Sequence, residues 1–134
     1  MTSHIVDASV VVRSFVNSSD RSTALAAFSQ SGAIAPELIL VEVSNALWKY
    51  VRAGQITVDD ASWFVSGLAS SFERLVPAVE LVEAAFELAC RHSHPAYDCF
   101  YLALAMREDL PLLTADRRLA AIGEKVGVGT VLLP

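Results

Sequence analysis

The feature that most constrains the fold is the alternation of short apolar runs with longer segments of helical periodicity. The apolar runs are predicted strands at residues 4–6, 33–35, 75–77, 111–114 and 130–133. Strands joined through helices pair in parallel, because a parallel connection needs a long crossover. The alternation therefore predicts an α/β fold in which helices flank a short, mainly parallel sheet.

The predicted helices occupy the segments between these strands. Pro36 and Gly54 bracket one helix, and Thr57 with Asp60 resembles a capping box that opens the next. The predicted helical segments are residues 10–16, 20–32, 36–54, 58–71, 79–93, 98–108 and 117–127. A chain of 134 residues fits one domain, predicted to span residues 1–134, and can bury a substantial core.

The composition is apolar and acidic. Hydrophobic residues make up 54% of the chain and charged residues 19%, so we expect some apolar surface to meet a partner. The net charge of −5 at pH 7 argues against a nucleic-acid binder of the basic-patch type. It leaves room for an enzyme that meets nucleic acid through bound cations.

The sequence predicts a cytoplasmic protein without a membrane segment. Asp7 precedes any apolar stretch of signal length, and the apolar run Cys99–Met106 is too short to span a bilayer. Cys90 and Cys99 form no CxxC pair. We therefore expect two reduced thiols in the core rather than a disulfide or a zinc site.

A lone carboxylate, Glu42, lies inside the apolar stretch LILVEVSNALW of the helix predicted at residues 36–54. Desolvating an unpaired ion costs on the order of several kcal/mol, so such a group protonates, pairs or binds a metal. A helix cap does not explain it, because Glu42 lies within its helix. The structural alternative is an ion pair with Lys49 or Arg52.

Three aspartates stand at the ends of predicted elements. Asp7 ends the first strand, Asp116 follows the strand at residues 111–114, and Asp98 opens the apolar run CFYLALAM. Each could be a helix N-cap. In open parallel sheets, however, ligands bind beyond the carboxyl ends of the strands. Asp7 and Asp116 are therefore expected on that rim.

Together these acids suggest a metal centre. Clustered carboxylates repel one another and stay ionised only if cations neutralise them, and hard oxygen ligands select Mg²⁺ or Mn²⁺. Short polar side chains beside the acids are suited to orienting them. The candidate metal ligands and catalytic residues are Asp7, Glu42, Asp98 and Asp116, and the candidate supporting residues are Ser9, Asn45 and Thr114.

Other polar residues receive weaker assignments. His92 and His94 lie in a predicted polar loop, and we expect surface residues rather than a general base. No serine or cysteine has a convincing histidine and acid partner, so no covalent enzyme intermediate is expected. The basic side chains that could border the acids are Arg13, Lys49, Arg52, Arg117 and Arg118.

Four segments carry a family resemblance across nearly the whole chain. They are VDAS (6–9), PELILVEVSNAL (36–47), YDCFYLALA (97–105) and LLTADRRLA (112–120), and each holds one of the four acids. In this order they resemble PIN-domain ribonucleases, and among these the VapC toxins of bacterial and archaeal toxin–antitoxin pairs.

The resemblance implies a PIN-like three-layer fold with the four acids at one edge of the sheet. It carries Asp7, Glu42, Asp98 and Asp116 over as metal-binding residues, and Ser9, Asn45 and Thr114 as supporting ones. It also implies Mg²⁺-dependent cleavage of RNA, a homodimer and a small VapB-like antitoxin. The expected products carry 5′-phosphate and 3′-hydroxyl ends.

Two other readings compete. Aspartyl-phosphate enzymes also place an aspartate after the first strand. A haloacid-dehalogenase-like phosphatase wants a second aspartate where this chain has Ser9, and a receiver domain wants a lysine where it has Leu133 and Pro134. A non-catalytic PIN-like interaction module could keep the fold and lose an acid, whereas this chain keeps all four.

Overall fold

A computed structural model describes residues 2–16 and 18–134. Its centre is a five-stranded sheet in which every pairing is parallel, and this confirms the predicted α/β class. The strands stand in the order β3-β2-β1-β4-β5. Their bounds are β1 Ser3–Val6, β2 Gly32–Pro36, β3 Arg74–Val76, β4 Leu112–Thr114 and β5 Thr130–Leu132.

Helices connect the strands, as the periodicity predicts. Thr57 caps its helix by accepting a hydrogen bond from the Asp60 N–H at 3.1 Å, which confirms the capping signal. The helices are α1 Ala8–Phe15, α2 Arg21–Gln30, α3 Leu38–Arg52, α4 Val58–Leu68, α5 Val82–His92, α6 Ala96–Glu108 and α7 Arg117–Lys125. None of the helices in the described ranges is long and apolar enough to cross a membrane.

The two halves of the sheet meet between β1 and β4, because the chain reverses its direction across the sheet after β3. It first moves outward from β1 through β2 to β3, then returns to place β4 and β5 on the other side of β1. Because such crossovers are right-handed, α1 to α4 cover one face and α5 to α7 the other. The carboxyl ends of β1 and β4 flank the crevice where α/β proteins of this kind bind ligands.

Helix α6 is the central helix of the core. Cys99 and residues 101–105 are all buried, and the helix packs on β1, β2 and β4. This explains why the run Cys99–Met106 has no polar face for most of its length. Both cysteines are free, as expected, but the core position predicted for Cys90 is wrong, because Cys90 lies on the exposed side of α5.

Candidate active site

The four candidate acids line one cleft, of about 990 Å³, beyond the carboxyl ends of β1 and β4. Asp7 follows β1, Asp116 follows β4, and Glu42 and Asp98 enter from α3 and α6. Ser9 and Asn45 also line the cleft, together with two cations, Arg13 and Lys49. The fold thus brings together acids that lie far apart in the sequence, from Asp7 to Asp116.

Asp7 occupies the N-cap position of α1 but does not act as a cap. Its carboxylate accepts no hydrogen bond from the helix N-terminus. Oδ2 instead accepts the Ser9 hydroxyl at 2.6 Å and the Thr114 hydroxyl at 2.8 Å. The side chain is only 5% exposed. Helix capping therefore does not account for this acid.

The surroundings of Asp7 oppose its ionisation. Burial is the largest cause and raises the pKa of Asp7 above its ordinary value. The hydroxyls of Ser9 and Thr114 lower the pKa, and repulsion from Asp98 and Asp116 raises it further. A bound cation would offset this repulsion and favour the ionised form.

Asp116 is a helix cap as well as a member of the acid group. Its Oδ1 accepts the N–H groups of Arg118 at 2.9 Å and Leu119 at 3.2 Å, at the start of α7. The Asp116 N–H donates to the Thr114 hydroxyl at 3.0 Å, which itself donates to Asp7. Thr114 therefore links the two acids at the strand ends.

Glu42 does not form the ion pair considered from the sequence. Its Oε1 accepts the hydroxyl of Tyr101 at 2.6 Å. Arg52 lies over the Trp48 ring, 4.6 Å from its centroid, and Lys49 lies in the cleft wall without an ion pair to Glu42 in the described structure.

The pKa of Glu42 also lies above its ordinary value. Burial is the main cause. The hydrogen bond from Tyr101 has the next largest effect and acts in the opposite direction, lowering the pKa. Repulsion from Asp7 and Asp98 raises it. The charges of two of the other three acids thus act on Glu42, which supports a single site in which the acids interact electrostatically.

Asp98 contacts a histidine that was assigned to the surface from the sequence. That prediction is wrong for His94, because its side chain is 4% exposed and its Nε2 lies 2.7 Å from Asp98 Oδ2. His94 lies two residues before Ala96, the first residue of α6, and its imidazole reaches Asp98 in the first turn of that helix. His92 is half-buried at the end of α5 and does not line the cleft.

Each of the four carboxylates has one oxygen held and one oxygen free. Within residues 2–16 and 18–134, hydrogen bonds engage a single oxygen of each acid. No buried side-chain oxygen there lacks a partner, so the remaining oxygens are accessible rather than sealed in the core. The free oxygens are Asp7 Oδ1, Glu42 Oε2, Asp98 Oδ1 and Asp116 Oδ2.

This donor set suits a hard divalent cation but is not closed around one. Free carboxylate oxygens are the ligands that Mg²⁺ and Mn²⁺ prefer, and no arginine or lysine of the described residues pairs with the four acids. In this conformation no three acidic, histidine or cysteine side chains in those ranges stand close enough to share an ion. Mg²⁺ usually keeps several of its waters and is bound through one or two carboxylates, so it does not need a closed cage of protein ligands.

Two residues of the site were missed from the sequence, Tyr101 and His94. A tyrosine in an otherwise apolar helix needs a partner for its hydroxyl, and a histidine four residues before an acid can reach it. Both signals are visible in the sequence, but the first does not indicate which acid the Tyr101 hydroxyl contacts. Asn45, proposed to orient Glu42, is exposed in the cleft and makes no hydrogen bond to Glu42 in the described structure.

Comparisons with known proteins identify relatives of this chain. Residues 4–125 match the PIN domain family. Ribonuclease VapC3 of Pyrobaculum aerophilum is 36% identical over 119 residues, which cover 87% of this chain and 91% of the relative. Ribonuclease VapC1 of Mycobacterium tuberculosis is 34% identical over 119 residues, covering 87% and 88%. The crystal structure of PAE2754 from Pyrobaculum aerophilum superposes with a TM-score of 0.72 at 26% identity, over 97% of this chain and 91% of that one.

Proposed function

The chain belongs to the PIN-domain family as a VapC-like ribonuclease, and from this premise we propose that it is a divalent-metal-dependent endoribonuclease. One observation carries the proposal. Four carboxylates line a single cleft at the switch point of the sheet, and each keeps one oxygen free of hydrogen bonds within the described structure. Phosphodiester hydrolysis by metal ions needs such a set of oxygen ligands.

The residues of the cleft have separate tasks in this proposal. Asp7, Glu42, Asp98 and Asp116 would hold Mg²⁺, with Mn²⁺ as an alternative. When bound, the ion supplies Lewis-acid chemistry at the phosphodiester and lowers the pKa of water at the site. Ser9 and Thr114 keep Asp7 oriented through its Oδ2.

The cations of the cleft wall would meet the RNA backbone. Arg13 and Lys49 line the same cleft as the acids, and neither pairs with the four acids among the described residues. Phosphate contacts of this kind position nucleic acid without reading its sequence. They also offset the repulsion between the acids and the phosphates of an incoming strand.

We further propose that the protein is the toxin of a VapBC-type pair, with a VapB-like antitoxin and a homodimeric assembly. Large apolar side chains remain exposed, among them Val41 beside the cleft at 66% and Trp63 on α4 at 75%. Such surface is typical of protein interfaces. An arginine or lysine of the antitoxin would bind the acids in competition with Mg²⁺. We propose the cytoplasm as its location, because the proposed substrate is cellular RNA.

The test is cleavage of total cellular RNA by purified, antitoxin-free protein, in parallel samples with Mg²⁺, Mn²⁺ or EDTA. We expect discrete fragments that require metal and carry 5′-phosphate ends. Asp98→Asn is expected to abolish them. Asp59→Asn is the matched control, because Asp59 is an exposed acid in the first turn of α4, outside the cleft.

Cleavage that survives EDTA or the Asp98→Asn substitution would contradict the metal mechanism. Calorimetric titration with Mn²⁺ adds an independent measurement of the site. Absence of both cleavage and Mn²⁺ binding would favour the alternative, a non-catalytic PIN-like protein-interaction module. Mn²⁺ binding without cleavage would retain the metal site and point to a substrate absent from the RNA pool.

A further inference from the structure

We infer that His94 and Tyr101 are positioning residues, which hold Asp98 and Glu42 in the orientation that captures the metal ion. The inference rests on the proposed function and adds two residues to the site. Asp98 and Tyr101 are three positions apart on α6 and lie on one side of its start, and His94 stands just before the helix with its imidazole against Asp98. The segment from His94 to Tyr101 thus contains one candidate metal ligand, Asp98, and two hydrogen-bond donors, one for Asp98 and one for Glu42.

Tyr101 can act only as a rigid donor. Its side chain is 0% exposed, so the core fixes the ring, and its hydroxyl donates to Glu42 Oε1 at 2.6 Å. Through this hydrogen bond α6 holds a carboxylate that belongs to α3.

His94 is fixed by the backbone on both sides. Ser93 ends α5 in the left-handed region, at φ 51°, and the His94 N–H donates to the Ala89 carbonyl at 3.2 Å. Pro95 follows directly and begins α6 as its N-cap. We assign the hydrogen of the 2.7 Å contact to His94 Nε2, so that the carboxylate of Asp98 accepts it. The backbone on both sides thus holds the imidazole against Asp98.

The two donors leave the right atoms free. Each binds a single oxygen of its acid, and the other oxygen has no hydrogen bond within the described structure. Partners behind a metal ligand fix its orientation, and their loss typically costs about 10–100-fold in metal affinity or activity.

The test is the affinity for Mn²⁺, measured by calorimetry on the purified protein. Tyr101→Phe removes only the hydroxyl, and His94→Leu removes the donor at Nε2. We expect each to weaken Mn²⁺ binding by about tenfold or more. His94→Gln returns an N–H near the Nε2 position and should recover most of the affinity. The controls are Ser14→Ala, which deletes a buried hydroxyl bonded to Val11 O, and His92→Gln.

Two readouts separate positioning from a structural role. Thermal unfolding in EDTA measures the stability lost with each hydroxyl, and Tyr101→Phe should lose Mn²⁺ affinity where Ser14→Ala, which also loses a buried hydroxyl, does not. In a Glu42→Ala background, Tyr101→Phe should have no further effect on affinity, because Tyr101 acts through that carboxylate. A further loss in this background, or unchanged affinity in both single variants, would overturn the inference while leaving the proposed function intact. A wild-type protein that binds no Mn²⁺ would overturn both.

Discussion

The Thr114 hydroxyl donates a 2.8 Å hydrogen bond to Asp7 Oδ2, although 107 positions separate the two residues. Parallel pairing of β1 with β4 brings them together, since Val6 lies opposite Leu113 and the Asp7 N–H donates to the Leu113 carbonyl at 3.0 Å. The next pair in this register is Asp7 and Thr114. The sheet register itself therefore supplies the donor that orients the most buried acid.

Thr114→Val should weaken both stability and metal binding. Valine has nearly the same shape, so the substitution removes a hydrogen bond to a charged group, worth about 1.5–3 kcal/mol, and the acceptor of the Asp116 N–H. Without this donor the pKa of Asp7 rises further, because the Thr114 hydroxyl is one of the groups that lower it. Urea denaturation at neutral pH and Mn²⁺ titration measure the two effects.

Thr130→Val is the matched control for this substitution. Thr130 is a half-buried strand residue in β5, away from the four acids. We expect it to leave Mn²⁺ affinity unchanged. An equal loss of affinity in both variants would show that Thr114 acts through general stability and not through Asp7.

Asp7→Asn should stabilise the metal-free protein while abolishing activity. The substitution removes a buried charge that Asp98 and Asp116 repel, and the asparagine oxygen can still accept the hydroxyls of Ser9 and Thr114. We expect the free energy of unfolding in EDTA at pH 8 to rise by about 0.5–2 kcal/mol. Asp59→Asn should show no such gain, and a less stable Asp7→Asn protein would contradict the electrostatic explanation.

The metal-free protein should become more stable as the pH falls toward the ordinary carboxyl pKa values. Burial raises the pKa values of Asp7 and Glu42 in the folded state above their ordinary values. Between the ordinary carboxyl pKa and these raised values the folded protein binds more protons than the unfolded chain, so lower pH favours folding. Saturating Mg²⁺ should reverse the trend, because protons then compete with the ion. Denaturation series in EDTA and in Mg²⁺ measure both slopes.

Asp116 has two roles that two substitutions can separate. Asparagine caps a helix about as well as aspartate, whereas alanine costs about 1 kcal/mol at such a position. Asp116→Asn should therefore retain stability in EDTA and lose RNA cleavage by more than ~100-fold, the upper end of the effect of an outer-shell partner. Asp116→Ala should lose both. Full activity in Asp116→Asn would restrict this residue to capping α7.

The sequence was informative where local pattern determines structure. Short apolar runs predicted all five strands, and the rule that ligands bind beyond strand ends placed Asp7 and Asp116 on one rim. Both predictions depend on residues close together in the chain. The start of α5 was placed at residue 79, but residues 78–80 form a 3₁₀ turn and the α-helix begins at Val82.

Side-chain partners across elements were harder to predict. Tyr101 and Glu42 are 59 positions apart, and no local pattern relates a tyrosine in α6 to an acid in α3. Lys49 and Arg52 lie nearer to Glu42 in the sequence, which favours them as its predicted ion-pair partners. The sequence around His94 is polar, which suggested a surface loop, yet the left-handed turn at Ser93 directs the imidazole inward against Asp98. Tertiary packing decided each case.

Lys49 should contribute to RNA binding through charge alone. It lies in the last turn of α3, in the cleft wall, and it lines the same cavity as the four acids. Lys49→Gln should weaken the binding of single-stranded RNA in an inactive Asp98→Asn background. A single phosphate contact should reduce the slope of log affinity against log salt by about 0.7. Lys125→Gln is the control, because Lys125 is exposed at the end of α7 and lies outside the cleft. Equal slopes for wild-type Lys49 and Lys49→Gln would place the RNA path elsewhere on the surface.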